Sequence, residues 1–168
     1  MENPAAHLRL LKINHGAVRR LFKELTYYEK EEDELRTKVN SLKDQKKPAE
    51  EITRAQEMLK ETERVVPHIR SSLQSSLKKV CDIIYEHFPD VIQINDRTVQ
   101  FCATHSEDSL KEVLSTHYEE MCKEVDALNE TLEKVLLLMK QDALPLCTPA
   151  PSAAVPLSCD EPIECVDI

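Results

Sequence analysis

The stretch INHGAVRRLFKELTYYEKEEDELRTKVNSL, residues 13–42, decides the fold. With Leu11 it places Leu11, Val18, Leu25, Glu32 and Val39 at one heptad position, and Asn14, Leu21, Tyr28, Leu35 and Leu42 three residues later; eight of those ten are apolar. A strict seven-residue repeat keeps one stripe of an α-helix against a partner and implies left-handed coiled packing. A single helix cannot bury such a stripe alone. The partner must come from elsewhere in the chain or from a second copy.

Two further stripes follow. Ile52, Ala55, Leu59, Thr62, Val66, Ile69, Leu73, Ser76, Val80 and Ile83 alternate spacings of three and four. Leu114, Tyr118, Met121, Val125, Leu128, Leu132, Val135 and Met139 do the same and are apolar throughout. The pattern predicts an all-α, elongated antiparallel three-helix bundle over residues 5–141, with helices at about 5–43, 48–87 and 106–141. Pro4 suits a helix start, and Asp44-Gln45-Lys46-Lys47-Pro48 reads as a short connection with Pro48 in the next first turn. Pro67 removes a helical hydrogen bond, but the heptad phase is unchanged across it, so a kinked continuous helix is expected, with Pro67 towards solvent.

Between Phe88 and His105 the helical period disappears. Val91, Ile92, Ile94, Val99 and Phe101 flank Asn95-Asp96-Arg97, which reads equally as a short hairpin or as an ordered loop over the bundle end. Ser106 is a suitable N-cap, with Glu107 and Asp108 at the positive end of the helix dipole. Leu136, Leu137 and Leu138 add apolar surface that covers the loop or marks a second contact. The segment 142–168 has five prolines among small residues and is expected to be disordered.

Composition removes several function classes. There is one glycine in 168 residues, which disfavours phosphate-cradling loops and dinucleotide turns. A net charge of −9 disfavours nucleic-acid binding, although residues 1–30 carry six basic against three acidic residues. That basic end suits an acidic partner. No apolar run approaches the ~20 residues needed to span a bilayer, and no signal peptide is legible, so a cytoplasmic location without membrane contact is expected. Six cysteines without a C-x-x-C pair read as reduced thiols.

Histidines and carboxylates give no catalytic or ligand constellation. His68, Cys81 and His87 share a helix but not a turn, so no metal, no cofactor and no enzymatic activity is expected. Cys165-Val166-Asp167-Ile168 has the outline of a prenylation box, but Asp167 and the acidic approach to it disfavour lipidation. What remains is the helix surface. Arg19, Arg20, Lys23 and Lys30, with Tyr27, form a basic face carrying an aromatic residue opposite the stripe.

The block Lys12-Ile13-Asn14-His15-Gly16-Ala17-Val18-Arg19-Arg20-Leu21-Phe22-Lys23-Glu24, then Tyr28-Glu29-Lys30-Glu31, resembles the first helix of the tubulin-binding cofactor A (tubulin-specific chaperone A) family. Glu57-Met58-Leu59-Lys60-Glu61-Thr62, leading to Val65-Val66-Pro67, resembles its second. The resemblance covers about residues 8–88; beyond Phe88 the longer connection and the Pro-rich segment depart from the family pattern. It implies a cytoplasmic, cytoskeleton-associated chaperone that captures β-tubulin released from the chaperonin on the pathway to α/β-tubulin heterodimers. It further implies indirect contact with other tubulin-folding cofactors and no bound nucleotide. Since tubulin surfaces are acidic, the basic face is the preferred contact, with Tyr27 as anchor and Arg19, Arg20, Lys23 and Lys30 as steering charges. A monomer is expected over a homodimer; the competing reading is a coiled-coil adaptor that dimerises through the same stripes.

Overall fold

The computed structural model describes residues 3–141, 143 and 144. Helix α1 spans Pro4–Asp44 and α2 spans Ala49–His87. Strands β1 (Ile92–Ile94) and β2 (Val99–Phe101) pair antiparallel, and then come α3 (Glu107–Leu114), a 3-10 turn at Ser115–His117, and α4 (Tyr118–Met139). The chain is an all-α helical bundle with one small hairpin.

Helix α1 starts where Asn3 accepts a hydrogen bond from the Ala6 N–H at 3.2 Å and Pro4 occupies the first turn, where its missing N–H costs nothing. At its other end Lys46 turns left-handed (φ 53°), and the Lys47 N–H reaches back to the Leu42 carbonyl at 3.1 Å. Pro48 is the N-cap of α2, one position before the first turn expected for it. Helix α2 runs through Pro67 without interruption because that residue is exposed and the stripe on either side, Val66 and Ile69, stays buried.

The two long helices pack antiparallel, with both expected stripes at their interface. Leu11, Val18 and Leu25 meet Leu73 and Val80 in the main core, and each such side chain contributes ~1.5–3 kcal/mol when fully buried. One flank of this interface changes character along its length. Near the α1 N-terminus it presents Leu8, His15 and, partly buried, Phe22, facing the buried Leu77 and Ile84 of α2. Continuing by sevens it presents Glu29 and Arg36, which pair with Arg70 and Glu63 of α2.

The apolar part is covered by α4, β1–β2 and α3. The charged part closes with ion pairs instead, and there Leu35, Val39, Ala55 and Thr62 are buried outside the main core. The molecule therefore has a thick base and a two-helix arm. The third stripe accordingly accompanies only part of the rod, for α4 has 22 residues against 41 in α1.

The continuous third helix expected over 106–141 is broken. Ser106 does cap α3, its hydroxyl accepting from the Ser109 N–H at 3.3 Å. At Ser115, however, the backbone takes φ 52°, ψ −125°, and the run Ser115-Thr116-His117 forms a tight 3-10 turn before α4 begins. Ser, Thr and His are weak helix formers, and the break lets Leu110 and Leu114 turn onto the same core that α4 closes with Met121, Val125 and Leu128.

Of the two readings for 88–105, the hairpin is realised. Asn129 of α4 holds it by a reciprocal pair: its side-chain amide donates to the Val99 carbonyl and its side-chain oxygen accepts from the Val99 N–H, both at 2.8 Å. Leu136 is buried and Leu138 packs against the core, whereas Leu137 is 65% exposed.

Candidate interaction surface

The five residues singled out from the sequence all lie on α1, and their helical spacing determines how they are displayed. Arg20, Lys23, Tyr27 and Lys30 recur at intervals of three and four and form one outward stripe. Ile13, 60% exposed, and Gly16 extend that stripe towards the N-terminus. Arg19 lies beside it, on the flank where the Lys12 ammonium pairs with Glu120 of α4. All five candidates are exposed.

Their electrostatic situations differ. Lys30 is engaged with Glu34 one turn on, at 3.7 Å. Arg19, Arg20 and Lys23 make no ion pair among the described residues, so their fields point outward. Tyr27 is 61% exposed and rests edge-on against Tyr28, ring centroids 5.3 Å apart at 83°. A tyrosine held by its neighbour offers a large contact area with little rotamer freedom to lose.

The sequence reading passed over a buried polar node beneath this face. His15, 1% exposed, reaches Glu124 from Nδ1 at 2.6 Å and Thr131 from Nε2 at 2.7 Å. Glu, His and a hydroxyl in that order are the parts of a nucleophilic relay. Here they cannot act as one: the Thr131 hydroxyl donates to the Ala127 carbonyl at 3.0 Å, and Thr131 is only 7% exposed. The node joins α1 to α4. Nothing in the spacing of residues 15, 124 and 131 announces it, since the contact exists only after the helices cross.

A cavity of about 500 Å³ opens at the base, lined by His7, Glu86, His87, Asp90, His105 and Val113 among others. His7 and His87 stack with ring centroids 4.1 Å apart, which turns their faces and not their nitrogens towards each other. Among the described residues no group of three or more His, Cys, Asp or Glu side chains is arranged to hold a metal, and no helix is long and apolar enough to cross a membrane. Among the described residues Cys81, Cys102 and Cys122 form no disulfide. The disorder expected for 142–168, Cys147, Cys159, Cys165 and the prenylation-like ending lie outside the described residues, apart from positions 143 and 144.

The fold is a long helical hairpin, covered at one end by the shorter elements, that displays an open charged face on α1. The family model for tubulin binding cofactor A matches residues 6–91, which is α1, α2 and the approach to the hairpin and just over half of the chain. The chain belongs to the tubulin binding cofactor A family. No curated protein and no solved structure matches it.

Proposed function

We propose that this protein is a cytoplasmic tubulin-folding cofactor that captures β-tubulin released from the chaperonin and holds it on the way to the α/β-tubulin heterodimer. The observation that carries the reading is the family match across both long helices, whose shared α1 carries three unpaired cations beside an exposed tyrosine. Arg19, Arg20 and Lys23 steer the acidic surface of tubulin, Tyr27 supplies the apolar anchor, and Lys30 contributes less because Glu34 already neutralises it. Nothing in the task requires bond chemistry: the cofactor shields a subunit surface from aggregation until its partner arrives.

The test is capture of chaperonin-released β-tubulin on a native gel. Wild type forms a discrete complex that weakens as salt rises. The combined Arg19→Glu, Arg20→Glu, Lys23→Glu variant keeps its helicity and loses about tenfold or more in affinity. Unchanged capture by that variant would place the contact on another face, and no complex with the wild-type chain would overturn the cofactor reading.

A further inference from the structure

Four cations in the N-terminal half of α1, Arg9, Arg19, Arg20 and Lys23, are exposed and make no ion pair among the described residues. The chain has a complement to them. Residues 142–168 contain Asp142, Asp160, Glu161, Glu164 and Asp167 and neither lysine nor arginine. The start of this segment is placed: Leu144 is 3% exposed, and its N–H donates to the Asp96 carbonyl at 2.6 Å, at the turn of the β1–β2 hairpin. The acidic positions thus start from the same base that carries the cations.

We propose that the acidic stretch 160–167 occupies the basic face of α1 within the same molecule and competes there with an acidic partner. From Leu144 to Asp160 an extended chain covers up to about 50 Å, whereas Arg9 to Lys23 spans roughly 21 Å along the helix. Tethering supplies the acidic stretch at an effective concentration on the order of millimolar, enough for a weak contact to be populated without locking the face. Because exposed ion pairs are individually weak and screened, the contact yields to a folded partner and to salt. The proposal uses the face assigned above but does not depend on which partner binds it.

The test uses the full chain with and without Asp160→Asn, Glu161→Gln, Glu164→Gln and Asp167→Asn. In heteronuclear NMR spectra the amide signals of Arg19 to Lys23 shift between the two proteins at low salt, to an extent independent of protein concentration, and coincide in 0.5 M salt. A fluorescent oligoglutamate peptide binds the neutralised variant about 3–10-fold more tightly than wild type at low salt. Identical α1 signals, shifts confined to Arg97 or Lys134, concentration-dependent shifts, or equal peptide affinity would each overturn it. Neither measurement contains tubulin, so failure here and failure of β-tubulin capture are separate results.

Discussion

His15 of α1 and Glu124 of α4 lie 2.6 Å apart beneath the surface, 109 residues apart in sequence. With its own proton on the Ala127 carbonyl, Thr131 can only accept from His15 Nε2, so that nitrogen carries a hydrogen. The Nδ1 side of the ring is held by the Glu124 carboxyl. The pair specifies where α4 sits along α1, a choice that interchangeable Leu and Val contacts leave loose.

Removing either partner strands the other. We expect His15→Ala and Glu124→Ala each to cost about 2–4 kcal/mol in urea unfolding, and the double variant to cost clearly less than the sum. Additive losses would mean that the two side chains are neighbours without being partners.

Gly16 lies in α1 with a helical backbone, and a β-carbon built on it meets no atom within 4 Å. Gly16→Ala should therefore stabilise the helix by ~1 kcal/mol and raise Tm by roughly 2–4 °C. Calorimetry checks the gain. A lower Tm would show that the open space beside this residue is used by the fold.

The left-handed positions are held by residues with side chains. Lys46 and Lys140 end α1 and α4 at φ 53°, and Ser115 breaks the third helix at φ 52°. Glycine removes the β-carbon clash at each, and Lys46→Gly or Lys140→Gly should stabilise by about 1 kcal/mol. Ser115→Gly should do at least as well, since its ψ of −125° is further from any ordinary L-residue conformation. Chemical denaturation of the three single variants decides it, and a loss at all three would reject the strain argument.

Acid should reveal the α1–α4 contact at its exposed edge. Hydrogen bonding to Lys12, with help from His117, holds the Glu120 carboxyl below its ordinary value of 4.5 despite partial desolvation. A depressed carboxylate contributes stability above the unfolded value and loses it as pH falls through the folded one. Lys12→Met should therefore be less stable than wild type at pH 6, and the difference should shrink from about pH 4.5 downward. A gap that stays constant to pH 3 would assign the effect of Lys12 to its aliphatic stem.

Amide exchange should divide the long helices in two. Around Leu73 and Leu77 the amides of α2 sit under the base and should exchange only on global unfolding; those near Ala55, in the arm, should open earlier. Uniform protection along α2 would contradict the division into base and arm.

The seams were legible because a heptad is a statement about faces: Leu11 through Leu42 and Ile52 through Ile83 each required a partner stripe, and in the fold they meet each other. The hairpin was half legible, since Val91 to Phe101 carried β-formers but no turn glycine, and Asn129, which secures it, belongs to a distant helix. The break at Ser115 carries neither glycine nor proline and depends on where the core needs Leu110 and Leu114. The extent of the third layer was written in the chain but not in its seams. It lies one position over, where Leu8, His15 and Phe22 give way to Glu29 and Arg36, and Ile84 and Leu77 to Arg70 and Glu63. The basic face was legible as a stripe, yet the partial neutralisation of Lys30 by Glu34 and the node under His15 required side chains in place.

That change of flank has a consequence for how the molecule could vary in size. Beyond Glu29 and Arg70 the two helices answer only to one another, so deleting a heptad from each, on either side of the Asp44–Pro48 turn, keeps every seam residue in phase. The projection would shorten by roughly 10 Å and the rest would not register the change. The base has no such freedom, because each of its layers is matched to α4 and the hairpin. The fold thus combines a fixed hilt with a blade whose length is graduated in sevens.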